Sequence, residues 1–318
     1  MKTSQSVFIS GHNGMVGSAI YRAFQKQGFS NIIIRDRKHL DLTNKTDVFK
    51  FFKENRPTYV INAAAKVGGI HANNTLPADF IYQNLEIQNN IIHAAHTFDV
   101  EKLLFLGSSC IYPKDCPQPM KESHLMTGHL EPTNDAYAIA KIAGIIMCQS
   151  YYRQYGKNFL SIMPCNLYGP NDNFDLESSH VLPALIRKFH EAKIQREKTV
   201  SLWGTGIAKR EFLHVDDMAN ATLFIMKHVN AKDLYSQNIT HLNIGSGKEI
   251  SIKELAEMIS HIVGFTGQIV YDNKKLDGML LKRLDVSRLH QLGWQHRISL
   301  SEGIRQTYNW YQQKKDKQ

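Results

Sequence analysis

A glycine-rich turn that follows an apolar run near the start of the chain places the strongest limit on the fold. Residues 7–10 read as a buried strand, glycines stand at positions 11, 14 and 17, and residues 18–27 have the pattern of a helix. Strand, glycine turn and helix open the dinucleotide-binding fold, in which the glycines permit a tight turn, close approach of a pyrophosphate and close helix packing. The helix N-terminus then receives the phosphate charge. The spacing differs from the Gly-x-Gly-x-x-Gly of many dehydrogenases, but its position after the first strand favours a nucleotide site.

Apolar strands and amphipathic helices alternate through the first half of the chain. The predicted strands are residues 7–10, 31–34, 59–62, 102–106 and 159–163, and the predicted helices are residues 18–27, 46–55, 80–98 and 134–155. This alternation predicts an α/β fold with a doubly wound parallel sheet of the Rossmann type.

The rhythm changes after residue 170, where short strands such as 199–203 mix with helices such as 252–263. We interpret this region as a smaller α/β C-terminal domain that binds the substrate. The expected first domain covers residues 1–170 plus about 214–242, because the helix after residues 214–217 returns to it. The expected second domain covers about 171–213 plus 243–318.

Composition and charge favour a globular enzyme rather than a nucleic-acid or membrane protein. The chain has 318 residues, 42% hydrophobic and 21% charged, and no apolar stretch approaches a membrane span or the core of a signal peptide. We therefore expect a cytoplasmic location and no membrane contact. The net charge of +9 is dispersed, which favours solvated faces over a nucleic-acid surface. A nucleotide diphosphate would also suit basic residues that line a cleft.

The four cysteines stand at positions 110, 116, 148 and 165. No two of them have Cys-x-x-Cys spacing, and they do not cluster with histidines in the way that zinc ligands do. We expect free thiols in a reducing compartment and no structural metal.

A Tyr and a Lys four residues apart are the first candidates for chemistry. On a helix, Tyr137 and Lys141 lie on one face. The ammonium can lower the pKa of the phenol, which can then give a proton to a carbonyl oxygen while a hydride attacks the carbon. Ser108 can hold the same oxygen. An ordinary exposed helix pair is the alternative, and the glycine turn argues against it.

The end of the second predicted strand carries a mixed signal for the cofactor. An acid there favours NAD, whereas arginines favour the 2'-phosphate of NADP. The chain has Arg35, Asp36 and Arg37 at this point. We predict NADP, with NAD the less favoured cofactor, because two guanidinium groups can fork onto a phosphate.

Four ordered segments carry a resemblance to a known family. They are AAKVGGI at 64–70, GSSCIYP at 107–113, NLYGPNDNF at 166–174 and REFLHVDD at 210–217. With them the chain resembles the extended short-chain dehydrogenase/reductases and, among these, the GDP-L-fucose synthase family, from residue 7 to about residue 310. The resemblance implies NADPH-dependent 3,5-epimerisation and C4 reduction of a GDP-linked 4-keto-6-deoxy-mannose. It also implies a homodimer in which helices 80–98 and 134–155 pack against their mates.

The resemblance gives roles to five residues. It implies that Ser108, Tyr137 and Lys141 form the reductase triad. It implies that Cys110 is the base and His180 the acid of the epimerisation, chemistry that suits a thiol and an imidazole. Alone, Cys110 would read as an inert buried thiol. Sugar-nucleotide 4,6-dehydratases usually have Thr-Asp-Glu at 108–110, and 4-epimerases usually have a small residue at 110.

The resemblance also implies contacts with the cofactor and the substrate. The expected cofactor contacts are Gly11, His12, Asn13, Gly14, Met15, Val16, Gly17, Arg35, Arg37, Asp41, Leu42, Ala63, Leu106, Gly107, Ser108, Lys141, Pro164, Asn166, Leu167 and His180. The expected substrate contacts are Ser109, Lys188, Trp203, Arg210 and Lys282. For Trp203, stacking on a ring and packing in the core are equally open.

Two departures from the family leave alternatives open. Asn13 stands where the family often has an Arg that reaches the NADP phosphate, and residues 279–282 read MLLK where a Thr-Pro or similar pair usually follows Asp277-Gly278. One alternative is therefore a C4 reductase without epimerase activity, or an enzyme for another GDP-4-keto sugar such as a 6-deoxy-heptose. The remote alternative is a non-enzymatic Rossmann redox sensor or basic nucleic-acid binder, although such sensors commonly lack the Tyr-Lys pair.

Overall fold

The computed structural model describes residues 1–176, 178–272, 274 and 279–316. The strands are β1 (Val7–Ser10), β2 (Ile32–Ile33), β3 (Tyr59–Asn62), β4 (Lys102–Leu106), β5 (Asn158–Pro164), β6 (Asn166–Tyr168), β7 (Thr199–Trp203), β8 (Lys209–His214), β9 (Leu242–Ile244), β10 (Glu249–Ser251), β11 (Gln268–Asp272) and β12 (Leu281–Lys282). The helices are α1 (Met15–Lys26), α2 (Lys45–Asn55), α3 (Ile70–Thr75), α4 (Pro77–Thr97), α5 (Asp135–Tyr155), α6 (Val181–Ile194), α7 (Val215–His228), α8 (Ala231–Tyr235), α9 (Ile252–Val263), α10 (Ser287–Gln291) and α11 (Leu300–Lys315).

A six-stranded parallel sheet forms the centre of the first unit, with the strand order β2-β1-β3-β4-β5-β9. Its central strands are buried on both faces, as their continuous apolar sequences require. Helices α1 and α7 pack against each other, as do α4 and α5. The predicted doubly wound α/β fold is confirmed.

Two small sheets and the helices α6, α9 and α11 form the second unit. In one sheet, β8 pairs with β10, β12 and β6, and in the other β7 pairs with β11. Strand β7 alternates between exposed and buried side chains, so one face covers the core and the other faces solvent. The core between these sheets and helices α6, α9 and α11 contains Phe189, Leu255, Ile259 and Ile304.

The two units exchange short segments at their boundary. Strand β9 extends the first sheet, and Leu284, Leu289 and Trp294 pack into the first core. This corrects the expected boundary, which assigned residues 243–318 to the second unit. Conversely, β6 lies before residue 170 but pairs with β8 in the second unit. The chain therefore crosses between the units near the carboxyl ends of the central strands. In the described part of the chain, every helix is too short or too polar to cross a membrane.

Candidate active site

The three glycines in the turn between β1 and α1 differ in their structural roles. Gly11 has φ +72°, and a Cβ added there would lie 2.8 Å from the Ala63 carbonyl oxygen. A Cβ on Gly17 would lie 2.1 Å from the Gly11 carbonyl oxygen. A Cβ on Gly14 would meet that oxygen only at 3.4 Å. Gly11 and Gly17 are therefore required by the packing, whereas Gly14 leaves room above the helix N-terminus for a ligand.

The N-terminus of α1 suits a phosphate. Gly14 is its N-cap, and neither a capping side chain nor an acidic residue occupies the first turn. The first N–H groups of a helix lack intrahelical acceptors and carry a partial positive charge. The predicted contacts Met15 and Val16 open this helix, so this turn fits the pyrophosphate of a dinucleotide.

Mixed charges lie beside this turn, at the end of β2. The Arg35 guanidinium donates to the Ile34 carbonyl at 2.8 Å and lies 5.7 Å from the Phe51 ring. The Asp36 carboxylate lies 2.5 Å from Nδ1 of His39. Burial lowers the pKa of His12 in the glycine turn, while the charge of Asp36 raises it. Asp36 therefore acts on the glycine turn from across the β1–β2 edge.

The next loop has a fixed shape. The Asp41 carboxylate accepts from the backbone N–H of Thr43 at 3.0 Å and from its hydroxyl at 2.8 Å. The amide of Asn90 donates to the Leu42 carbonyl at 3.0 Å. These bonds hold Asp41 and Leu42 beside the expected adenosine site. Further along the same sheet edge, the predicted contacts Ala63, Leu106, Gly107, Pro164 and Leu167 lie at or just beyond the ends of β3 to β5 and in β6.

Lys141, the third member of the predicted reductase triad, is buried. Its ammonium donates to the Leu106 carbonyl at 2.9 Å and lies 5.7 Å from the centre of the Tyr137 ring. Burial lowers the pKa of Lys141 to about 8. Burial and the Cys110 charge raise the pKa of Tyr137, which a hydrogen bond with Ser108 opposes. The expected lowering of the phenol pKa by Lys141 is not seen, because burial is the largest influence on the phenol and raises its pKa.

The charge of Lys282 acts on both Cys110 and His180. Burial raises the pKa of the Cys110 thiol, which the charges of Lys282 and Lys141 and a hydrogen bond with Ser108 lower. Burial lowers the pKa of His180, and the charge of Lys282 lowers it further. The Lys282 charge therefore acts on both groups and places all three within electrostatic range of one another. These pKa directions favour a thiol and a neutral imidazole at neutral pH, so the reaction must generate the thiolate that the predicted base requires.

Ser108 joins the two sets of residues. It begins the turn Ser109–Ile111 that follows β4. Burial raises the pKa of both Tyr137 and Cys110, and the Ser108 side chain acts on both in the opposite direction. The reductase residues and the predicted epimerase residues therefore belong to a single site at the carboxyl end of β4. This is where ligands bind in open α/β sheets.

The predicted substrate contacts have different surroundings. The indole of Trp203 is 69% exposed, so its packing in the core is excluded, and the Lys188 ammonium lies 5.9 Å from its ring. The Arg210 guanidinium donates to the Met279 carbonyl at 2.6 Å, and Arg210 pairs with Lys282 across β8 and β12. Ser109 is buried.

Asn166 and the loop at Asp277-Gly278 are the remaining predicted ligand contacts. Asn166 donates to the Glu211 carbonyl at 2.8 Å, which leaves its side chain tied to β8. The expected substrate loop at Asp277-Gly278 lies outside the described residues. Leu280, just beyond it, is exposed.

Glu211 is a functional candidate that the sequence analysis did not identify. Its buried carboxylate accepts from the backbone N–H groups of Gly247 and Leu284, both at 2.7 Å. Burial raises its pKa to about 7, against the effect of these hydrogen bonds. Leu284 lies two residues after Lys282, so Glu211 fixes the strand that carries this cation. The signal available in the sequence was the acid at position 211 within the segment 210–217, which the sequence analysis used only for the family resemblance.

Comparisons with known proteins agree with this geometry. The profile of the NAD dependent epimerase/dehydratase family matches residues 7–245. The GDP-L-fucose synthase of Escherichia coli (strain K12) is 54% identical, over 99% of each chain. A GDP-6-OMe-4-keto-L-xylo-heptose reductase from C. jejuni has a TM-score of 0.93 and 42% identity, covering 99% of each chain. A GDP-L-fucose synthetase from Naegleria fowleri bound to NADP has a TM-score of 0.90 and 29% identity, covering 99% of this chain and 95% of its own.

Proposed function

Because the chain belongs to the NAD dependent epimerase/dehydratase family and, within it, groups with the GDP-L-fucose synthases, we propose that it converts GDP-4-keto-6-deoxy-D-mannose to GDP-L-fucose. The reaction inverts C3 and C5 of the sugar and then reduces the C4 ketone with NADPH. The observation that carries this proposal is that helix α5 packs against the turn Ser109–Ile111 at the end of β4, where the Lys141 ammonium bonds the Leu106 carbonyl at 2.9 Å and lies 5.7 Å from the centre of the Tyr137 ring. This arrangement supports a single site for both reactions.

The cofactor site follows from the glycine turn and the end of β2. The N-terminus of α1, where Gly14 leaves room, would hold the pyrophosphate, and Arg35 and Arg37 at the end of β2 would attract the 2'-phosphate. Lys141, whose ammonium bonds the Leu106 carbonyl, would hold the nicotinamide ribose. When bound there, NADPH supplies the hydride for C4.

Epimerisation needs a base on one face of the sugar and an acid on the other. The C4 ketone acidifies the hydrogens at C3 and C5. In the reactive form Cys110 has lost its proton to solvent and His180 has gained one. The Cys110 thiolate removes the proton, the electron pair moves to the C4 oxygen as an enolate, and the imidazolium of His180 returns a proton to the opposite face; exchange of protons with solvent then restores both side chains. Ser108 and Tyr137 donate hydrogen bonds to the enolate oxygen. The Lys282 charge helps the thiol to ionise, which its burial otherwise opposes.

Reduction of the C4 ketone involves the same C4 oxygen of the sugar. As the hydride reaches C4, the C=O bond becomes a C–O single bond, and the phenol of Tyr137 gives its proton to the oxygen. Ser108 keeps its hydrogen bond to that oxygen through both reactions. The positive charge of Lys141 stabilises the phenolate that forms, although it does not overcome burial in the resting site.

The GDP group would lie against the second unit. Lys188 and Trp203 offer a cation and an exposed indole that can stack on the base, and Arg210 and Lys282 offer two cations for the diphosphate. Lys188 lacks the planar fork of an arginine, so it acts as a point charge.

Solvent exchange tests the two activities separately. With GDP-4-keto-6-deoxy-D-mannose in D₂O and no NADPH, we expect deuterium at C3 and C5, read by NMR. After NADPH is added, we expect GDP-L-fucose. Neither exchange nor reduction with this sugar would overturn the proposal.

A second candidate is a C4 reductase of a GDP-4-keto-heptose. The similarity to the heptose reductase and the exposed Leu280, in a segment that departs from the family pattern, favour it. This candidate predicts NADPH oxidation with a GDP-4-keto-heptose and no deuterium uptake at C3 or C5. The same NMR experiment, run with both sugars, separates it from the main proposal.

We also propose that two copies associate through the outer faces of α4 and α5. The large apolar or aromatic side chains Ile139 and Tyr155 of α5 and Tyr82 of α4 are 47%, 51% and 64% exposed. Exposed apolar side chains on neighbouring elements are typical of a surface that another protein covers when they form a contiguous patch. Sedimentation should show a dimer that Tyr82→Arg with Tyr155→Arg converts to monomers; an unchanged dimer would exclude this face.

We propose a cytoplasmic location on separate grounds. All four cysteines are free and buried, as in proteins of reducing compartments. Fractionation of the source cells should recover the protein with cytosolic markers, and its recovery with secreted proteins would contradict this location.

A further inference from the structure

A chain of buried hydrogen bonds begins at Tyr112, two residues after Cys110, and takes no part in the proposed chemical steps. The side chains of Tyr112, His241 and Asn243 are 3%, 0% and 0% exposed. The Tyr112 hydroxyl lies 2.5 Å from Oδ1 of Asn243 and 2.7 Å from Nε2 of His241. Polar side chains at this depth are stable only when their hydrogen-bonding atoms have partners.

The direction of each hydrogen bond in this chain follows from its two ends. The amide nitrogen of Asn243 donates to two backbone carbonyls, at 2.9 Å and 3.1 Å, so its oxygen accepts from the Tyr112 hydroxyl. A phenol has a single hydrogen to donate, so Nε2 of His241 carries a proton and donates to the Tyr112 oxygen. Burial lowers the pKa of His241 to about 3. The imidazole is therefore neutral, and its Nδ1 accepts from the Thr240 hydroxyl at 2.8 Å.

These bonds hold one end of the turn that contains Cys110. Tyr112 is the C-cap of the turn Ser109–Ile111. The other end, at Ser108, is fixed by the central sheet, because the backbone N–H of Gly107 donates to a carbonyl of β5 at 2.8 Å. The sheet thus positions Ser108, whereas the position of Cys110 depends on the hydrogen bonds of Tyr112.

The same hydrogen bonds connect this turn to the segment that carries Lys282. The Asn243 amide donates to the carbonyl of Asp285, three residues after Lys282. It also donates to the Met120 carbonyl, which accepts from the backbone N–H of Asp285 at 2.8 Å. The turn with Cys110 is therefore tied to the strand whose cation acts on the thiol.

We propose that Tyr112 is a positioning residue whose buried hydrogen bonds place the Cys110 sulfur for proton transfer from the sugar. This inference rests on the proposed epimerisation. Without the hydroxyl, Nε2–H of His241 and Oδ1 of Asn243 would be buried without partners, which is costly. The turn would shift to relieve them and displace Cys110, while Ser108 would keep its place at the end of β4.

Separate measurements of epimerisation and hydride transfer test this role. Deuterium uptake at C3 and C5 of GDP-4-keto-6-deoxy-D-mannose, followed by NMR in D₂O without NADPH, reports proton transfer. Hydride transfer is followed in the reverse direction, from GDP-L-fucose to NADP⁺, because that step needs no epimerisation. Tyr112→Phe should lower the exchange rate by about 10–10²-fold, the effect of displacing a reacting group by a fraction of its contact distance. It should leave the rate of hydride transfer nearly unchanged.

Two substitutions of His241 distinguish positioning from a loss of stability. His241→Leu removes one of the two bonds of the Tyr112 hydroxyl and should lower exchange by roughly fivefold, the usual size of one hydrogen bond. His241→Gln keeps an N–H donor near the same place and should restore most of the exchange rate.

Tyr235→Phe is the matched control. It removes another buried phenol hydroxyl, which donates to the Phe159 carbonyl at 2.8 Å. Phe159 lies near the start of β5, at the opposite end of the sheet from the site. The control should lower the unfolding midpoint in urea by an amount comparable to Tyr112→Phe and leave both rates unchanged.

The variants and the wild type test different claims. Exchange in Tyr112→Phe that equals the wild type, or that falls in equal proportion with hydride transfer, would overturn the positioning role. Equal exchange rates in His241→Gln and His241→Leu would overturn it as well. Absence of exchange in the wild type would instead overturn the proposed epimerisation, and this role of Tyr112 with it.

Discussion

Ser108 is the residue through which we propose that two reactions share one site. Its side chain lowers the pKa of both the Tyr137 phenol and the Cys110 thiol, against the effect of burial. An oxygen of the substrate placed beside Ser108 is therefore within reach of the proton donor for reduction and next to the thiol for epimerisation. At the scale of single residues, the two activities should be separable by substitutions on either side of Ser108.

Cys110→Ala and Tyr137→Phe should damage different steps. Cys110→Ala should lower deuterium uptake at C3 and C5 by about 10²–10⁴-fold, the usual contribution of a general base, while NADPH binding stays unchanged. Tyr137→Phe should lower reduction by a similar factor and slow exchange much less, because Ser108 still holds the enolate oxygen. NMR exchange and NADPH oxidation measure the two rates. Equal losses of exchange in both variants would show that Cys110 has no separate role.

Lys282 should control the ionisation of Cys110. Its charge lowers the thiol pKa, which burial has raised, so Lys282→Gln should raise that pKa further and move the onset of deuterium exchange to higher pH. The thiolate absorbance near 240 nm, taken as the difference from a Cys110→Ser background, measures the ionisation directly. Lys209→Gln is a matched control, because it removes an exposed cation that pairs with Leu281 in the same strands. An identical shift in the control would mean that Lys282 acts only through net charge.

At the scale of elements, two glycines of the turn between β1 and α1 should have different roles, one in packing and one in ligand binding. Gly17→Ala should destabilise the fold by about 1–3 kcal/mol, because its Cβ would lie 2.1 Å from the Gly11 carbonyl oxygen and force the backbone apart. Gly14→Ala should leave the unfolding midpoint in urea nearly unchanged, since its nearest contact is 3.4 Å. It should still weaken NADPH binding by roughly tenfold, because the methyl group takes space needed by the pyrophosphate. Unchanged NADPH affinity in Gly14→Ala would place the pyrophosphate elsewhere.

Local sequence patterns predicted most strands and helices. The features that they missed depend on contacts between residues far apart in the sequence. Strands β3, β4 and β7 and helix α9 have the bounds expected from apolar runs and periodicity. Strand β2 is shorter than predicted, because only Ile32 and Ile33 pair with β1. The site residues from the Ser-x-Cys and Tyr-x-x-x-Lys motifs were predictable. The contact of Glu211 with Leu284 spans 73 residues, and no local pattern reports a partner at that distance.

At the scale of the whole molecule, Glu211 connects the sheet of one unit to the segment that returns to the other. Its carboxylate bonds the turn after β9 and the backbone after β12, and its carbonyl holds Asn166 of β6. A Cβ on Gly245 would lie 2.1 Å from this carboxylate, so the first sheet ends directly against it. The position of Lys282, and through it the pKa of Cys110, thus depends on a buried acid at the boundary of the two units.

This buried acid should give the protein a measurable pH dependence of stability. The folded-state pKa of Glu211 is raised from 4.5 to about 7. Its contribution to stability is therefore complete below about pH 4.5 and is lost as the pH rises through 7. Glu211→Gln imitates the protonated side chain and does not titrate. The free energy of unfolding of the wild type, minus that of the variant, should then fall by about 3 kcal/mol between pH 4.5 and pH 8.

Urea unfolding of both proteins across this pH range measures the difference, and subtraction removes the titration of every other group that the two proteins share. Glu254→Gln is a matched control, because Glu254 is an exposed helix-capping acid with a lowered pKa. Its carboxylate stabilises the fold above its unfolded-state pKa, so the corresponding difference should rise with pH instead of falling. If the Glu211 difference also rose with pH, hydrogen bonds from Gly247 and Leu284 would outweigh burial, and the boundary would be held by a permanent charge.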